Sequence, residues 1–116
     1  MSTTIEELKE RLKTFADERD WSQFHSPKNL AMALTVEVSE LVEIFQWMKD
    51  GDSRELKLRD HQKASEEIAD IFLYLLMISD KLDVNLLDVA ADKIELNATK
   101  YPIEKCYGKS AKYDQL

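Results

Sequence analysis

The sequence predicts an all-α protein of four helices, and three observations carry that prediction. Apolar residues recur at spacings of three and four through most of the chain, the period of an amphipathic helix. Glycine and proline occur only twice each in 116 residues, so breaks are few and hairpins are not expected. Hydrophobic residues make up 44% and charged residues 34%, a balance that suits one soluble domain with a modest core.

The first helix follows Thr3 or Thr4 as N-cap, with Glu6 or Glu7 completing a capping box. Ile5, Leu8, Leu12 and Phe15 are its apolar stripe. Asp20-Trp21-Ser22-Gln23-Phe24-His25 breaks the pattern. Ser26-Pro27 reopens it, since serine caps a helix and proline suits the first helical position. The second helix is expected to reach about Met48 and stop at Asp50-Gly51; Leu30, Leu34, Leu41, Ile44, Phe45 and Met48 share one face. A polar link covers 52–59. The third helix covers 60–82 and is apolar nearly all round from Ile68, which predicts a central position. Asp83 or Asn85 caps a fourth helix through Leu86, Leu87, Ala90, Ile94 and Asn97, ended by Pro102. Residues 1–102 are expected to form the domain. Residues 103–116, with Lys105, Lys109 and Lys112, form a tail ordered by a partner or ligand.

Charge narrows the function classes. A net charge of −7 argues against a nucleic-acid or anionic-membrane surface, which needs a basic patch. A small anion that arrives with its own metal stays open. The apolar run near Asp70 is too short and too interrupted to span a bilayer. The first ten residues are acidic and polar, unlike a signal peptide. Cys106 is the single cysteine; it allows no internal disulfide and fits a bystander in a reducing cytoplasm.

The chemistry concentrates in two acidic pairs, Glu37 with Glu40 and Glu67 with Asp70. Residues three apart on a helix are offset by roughly 60° and are surface neighbours. The bland alternative is a solvated acidic face. Against it, Glu37 and Glu40 are embedded among Leu34, Val36, Leu41 and Val42, and Asp70 is flanked by Ile68, Ala69, Ile71 and Phe72. A carboxylate so flanked is expected to be buried, and a buried charge must be paired, protonated or metal-bound. Oxygen ligands with no Cys or His beside them favour Mg²⁺ or Mn²⁺ over zinc. A di-iron bundle would require Glu-x-x-His pairs; positions 40 and 70 are Glu and Asp, and the only histidines, His25 and His61, lie outside the pairs.

Glu37-Val-Ser-Glu40 followed by Glu67-Ile-Ala-Asp70 resembles the MazG-like all-α nucleoside triphosphate pyrophosphohydrolase superfamily. Trp21-Ser-Gln-Phe-His25-Ser-Pro-Lys-Asn-Leu30, Glu43-Ile-Phe-Gln-Trp47, Lys93-Ile-Glu-Leu-Asn97-Ala-Thr-Lys-Tyr101-Pro102 and Gly108-Lys-Ser-Ala-Lys112-Tyr113 resemble its dCTP pyrophosphatase branch, in order along nearly the whole chain. The resemblance implies an antiparallel four-helix bundle assembled as a homodimer or homotetramer. It implies a cytoplasmic, pool-cleaning hydrolysis of a dNTP, dCTP or modified dCTP first, to dNMP and pyrophosphate. It implies Mg²⁺, with Mn²⁺ an alternative, held by Glu37, Glu40, Glu67 and Asp70.

With that reaction in view, Glu37 and Glu40 are the candidates to orient the attacking water, and the sequence does not choose between them. Glu43 stands in reserve. Trp21, His25 and Trp47, with Phe24, would make the base pocket. Asn29 and Lys28 lie on the opening turn of the second helix, whose amides favour anions. Tyr74 shares the face of Asp70. Lys93, Asn97 and Tyr101 are candidates for phosphate or sugar. Leu12 departs from the pattern: some relatives carry a polar base-contacting residue there, which weakens the cytidine assignment. The competing readings are a broad NTP or dUTP pyrophosphatase and a non-catalytic helical oligomerisation module.

Overall fold

Three side chains cap the helices that the sequence places after them. Thr4 Oγ1 accepts from the Glu7 N–H, Ser26 Oγ from the Asn29 N–H and Asn85 Oδ1 from the Asp88 N–H, each at 3.1 Å. Each cap satisfies an amide that the helix itself leaves free. In the computed structural model, which describes residues 2–116, these caps open α1 (Ile5–Glu18), α2 (Pro27–Phe45) and α5 (Leu86–Lys100). Between them lie the short α3 (Asp50–Arg54) and the long α4 (Leu58–Lys81), and α6 (Ile103–Cys106) follows α5. Two 3-10 turns, Ser22–Phe24 and Tyr113–Gln115, complete the elements, with no strand among the described residues.

The boundaries differ from expectation in the middle of the chain. α2 ends at Phe45 rather than Met48, and Asp50-Gly51 opens a helix instead of merely closing one. The Asp50 carboxylate accepts from Arg54 Nε at 3.3 Å and Nη2 at 3.0 Å, four residues on. That pair closes a single helical turn inside the expected polar link. The tail expected to await a partner is partly helical, at α6 and the last 3-10 turn.

By their internal contacts the residues form two compact units, Met1–Asp83 and Val84–Leu116. In the first unit α4 packs mainly on α2 and also on α1. Glu43 and Ile44 of α2 share a cleft with Asp60 and Lys63 of α4, whereas Glu37 meets Glu67 and Asp70. Late residues of one helix therefore face early residues of the other, and the pair runs antiparallel. Leu30 and Leu76 are fully buried, and the small side chains of Ala16 and Ala64 are buried as well. Ser79, also buried, donates to the Leu76 carbonyl at 2.9 Å, so its hydroxyl is satisfied.

α4 touches both neighbours, as a central helix should, but it is not enclosed. Ile68 is 56% exposed and Phe72 37%. Asp70 between them is exposed as well, against the expectation that its flanks would hold it in the core. The flanks are apolar but uncovered in a single chain, so the carboxylate reaches water beside them.

α1 stops in a way that sets the next segment. Arg19 is the C-cap and Asp20 takes a left-handed conformation at φ 54°, which Asp tolerates better than most residues. The Trp21 N–H then reaches back to the Ala16 carbonyl (2.9 Å) and the Asp20 N–H to that of Asp17 (3.1 Å), a Schellman closure. Trp21 is thereby folded onto Phe15, ring centroids 5.8 Å apart at 72°. The Arg19 guanidinium lies 3.7 Å over the same Phe15 ring.

In the second unit Tyr101 caps α5, its N–H donating to the Asn97 carbonyl at 2.9 Å. Tyr113 returns edge-on to Tyr101 at 6.2 Å, with Lys100 Nζ 5.0 Å from its ring. Gly108, at φ 74°, supplies a left-handed turn that a β-carbon would strain. Among the described residues no helix is long and apolar enough to cross a membrane.

Candidate active site

Antiparallel packing of α2 on α4 brings their acidic pairs together. Glu37, Glu67 and Asp70 each offer a carboxylate oxygen, and these oxygens lie within 4.8 Å of one another. Glu40 stands close enough to Glu67 to share a proton with it. Glu37 and Glu67 are half-buried, and Glu40 and Asp70 exposed.

The electrostatics of this cluster are unfavourable as it stands. Glu67 Oε2 is sealed from water and has no hydrogen-bond donor. Ionised carboxylates only accept, so Glu37 and Glu40 can satisfy that oxygen only if a proton sits between the groups. Such a hydrogen bond to Glu37, followed by burial and by the charge of Glu40, raises the Glu67 pKa from 4.5 to about 7. Tyr74, one turn after Asp70, also has its pKa raised, first by burial and then by the charges of Glu37 and Asp70. Its hydroxyl therefore belongs to the same electrostatic neighbourhood.

A cation would answer what the proton now answers. The orphaned Oε2, the convergence of three oxygens and the lack of any Cys or His among them fit a hard divalent ion. Two cavities adjoin the cluster. One, about 560 Å³, is acidic and lies between Glu40, Glu43, Asp60, Lys63, Glu66 and Glu67. The other, about 400 Å³, lies between α1 and α4 and is mostly apolar; Asp70, Tyr74, Trp21 and His25 line it with Leu12 and Phe15.

The structure thus brings six of the sequence's candidates, Glu37, Glu67, Asp70, Tyr74, Trp21 and His25, to one cluster and its aromatic cavity, and sets Glu40 beside Glu67. Trp47 is not among the cavity residues and is 89% exposed. Asn29 is built into the loop–helix junction, where its Nδ2 donates to the Phe24 carbonyl at 2.9 Å. Lys93, Asn97 and Tyr101 belong to the second unit. Sequence reasoning missed Arg11, Leu73 and Met77 as cavity walls. The signal was available: Leu8, Arg11, Leu12 and Phe15 on α1 share the i, i+3, i+4, i+7 spacing of Asp70, Leu73, Tyr74 and Met77 on α4.

An all-α fold whose two E-x-x-E/D pairs converge beside an aromatic cavity defines an acidic helical protein with a candidate cation site. The MazG-like family model matches residues 32–116, and the chain belongs to that family. It is 36% identical over 115 residues to dCTP pyrophosphatase 1 of Rattus norvegicus and of Homo sapiens, covering 97% of this chain and 68% of each relative. The crystal structure of a pyrophosphatase from Archaeoglobus fulgidus matches with a TM-score of 0.81 at 40% identity, over 88% of this chain and 95% of that one.

Proposed function

We propose that this chain is a Mg²⁺-dependent dCTP pyrophosphatase, acting on dCTP or a base-modified dCTP to give the monophosphate and pyrophosphate. That it is an enzyme of the nucleotide pyrophosphatase class follows from its family and its named relatives. The cytidine preference, the identity of the metal and the residue roles are the reading offered here. One observation carries it: Asp70 belongs both to the carboxylate cluster and to the wall of the aromatic cavity. A ligand with phosphates at the first and a planar base in the second is a nucleotide.

Glu37, Glu67 and Asp70, with Glu40 alongside, would hold the metal. When bound it supplies positive charge against the polyphosphate and the charge that develops during cleavage. The chain's own residues do the rest. Glu40 stands outside the tight triad, which favours its carboxylate for aligning a water and taking its proton. The water oxygen bonds to phosphorus, the α–β bridging bond breaks, and pyrophosphate leaves. Glu37 is the alternative for the same task. Trp21 stacks on the base, His25 hydrogen-bonds its edge, and the Tyr74 hydroxyl steadies a cluster carboxylate or the sugar. Trp47, Asn29, Lys93, Asn97 and Tyr101 keep a place in the proposal as contacts completed by substrate or by a second copy.

A homodimer or homotetramer is part of the reading, supported by the open apolar surface of α2 and α4, where Met32, Val36, Val42 and Ile68 are each more than half exposed. Covering such surface stabilises at about 25 cal/mol per Å². Residues 1–102 as catalytic domain, 103–116 as tail and a cytoplasmic setting complete the proposal. The test is a panel of dCTP, dUTP, dTTP, dATP and the ribonucleotides, each with Mg²⁺, read as pyrophosphate release. dCTP should lead; a dUTP preference would remove the cytidine assignment, and no pyrophosphate from any member would sink the enzymatic reading.

A further inference from the structure

We infer that the groove between α1 and α4 continues the nucleotide site into an anion-binding extension, suited to a substrate whose base carries a negatively charged substituent. The inference rests on the nucleotide pyrophosphatase reading and deepens it. The aromatic cavity does not end at His25. His25, Leu12, Ala16 and Met77 also line an adjoining space of about 480 Å³ that runs on to Asp80 and Lys81. Asp70 and Lys81 are eleven positions apart on α4, which is about 16 Å along the axis. Each space alone falls in the range of roughly 300–1,000 Å³ that takes a drug-sized ligand. With phosphates held at the Asp70 end, the second space lies beyond the far edge of the base.

The charges around that second space are unequal. Lys9, Lys13 and Lys81 line it, against Asp17 and Asp80. Asp80 is engaged by Lys9 at 3.7 Å, and Asp17 accepts from the Ser22 hydroxyl at 2.8 Å. Lys9 also reaches Glu6 at 3.8 Å. Neither Lys13 nor Lys81 has an ion pair among the described residues. Two ammonium groups without ion pairs therefore border a cavity lined by Leu12, Leu76 and Met77, against the single carboxylate, Asp17, that no cation engages, which leaves the lining net positive in a chain whose net charge is −7. An apolar floor weakens screening and strengthens attraction for an anion. An unmodified base offers these lysines nothing, whereas a carboxylate on the pyrimidine ring would.

The test compares dCMP with 5-carboxy-dCMP, each titrated calorimetrically into the full chain with Mg²⁺ present. The parent chain should bind 5-carboxy-dCMP about three- to tenfold tighter, the size expected of one or two partly exposed ion pairs. In the double variant Lys13→Gln/Lys81→Gln the preference should vanish while dCMP affinity stays unchanged. Equal affinity for the two ligands, no measurable binding of 5-carboxy-dCMP, or a preference that survives the double variant overturns the inference. Pyrophosphate release from dCTP is read separately. Its absence would overturn the enzymatic reading, and a lysine-dependent preference in the same protein would still stand.

Discussion

Protons and metal ions compete for one oxygen at Glu67. With its pKa raised to about 7, the metal-free group is half protonated at pH 7. A cation that takes the orphaned Oε2 must expel that proton, so binding is coupled to proton release. The released fraction should be about 0.9 at pH 6, about 0.5 at pH 7 and about 0.1 at pH 8. Apparent Mg²⁺ affinity should correspondingly fall about tenfold from pH 8 to pH 6. The assay is isothermal titration of Mg²⁺ in pairs of buffers that differ in ionisation enthalpy, which counts the protons directly. Glu67→Gln, which has no proton to give in this range, should bind more weakly and release none. Affinity that stays level between pH 8 and pH 6, or no proton release at pH 6, would refute the placement of Glu67 as a ligand that the proton replaces.

Three further outcomes follow from the same structure. Glu67 has a folded-state pKa above its ordinary value, so its contribution to metal-free stability is complete below pH 4.5 and is lost as pH rises to about 7; melting of the metal-free chain should decline across that window, and Glu67→Gln should flatten the decline. Asp70→Asn should abolish pyrophosphate release while the far-ultraviolet helical signal stays unchanged, because Asp70 is exposed and its loss leaves no void. Leu76→Ala should cost about 2–5 kcal/mol in urea unfolding, since Leu76 is 0% exposed at the packing centre; a loss below 1 kcal/mol would mean the site collapses around the missing atoms.

The starts of α1, α2 and α5 were legible because each is decided within four residues. Thr4, Ser26 and Asn85 need only their own hydroxyl or amide oxygen and the backbone N–H three positions on. That each acidic pair shares a helix face was legible from spacing alone. What spacing could not give was distance between faces. The α1 stripe of Leu8, Leu12 and Phe15 reads as core, yet opposite Asp70, Leu73 and Tyr74 it leaves a cavity. Periodicity says which residues look the same way, not how tightly the opposing helix fills the space. Asp70 was misread as buried for a related reason: apolar neighbours in sequence are covered only if something packs on them, and in one chain Ile68 and Phe72 are not. α3 escaped notice because Gly51 reads as a stop, while the Asp50–Arg54 pair that closes the turn spans it.

The left-handed Asp20 has an implication for how this site can change over time. One backbone reversal both terminates α1 and delivers Trp21 to Phe15, so the helix stop and the placement of a stacking ring are a single geometric event. Adding or deleting a residue between Ala16 and Ser26 would swing Trp21 and His25 off their wall together. Variation in ligand preference is therefore channelled into side-chain replacements at fixed length, at positions such as Leu12 and Arg11, rather than into remodelling of the loop.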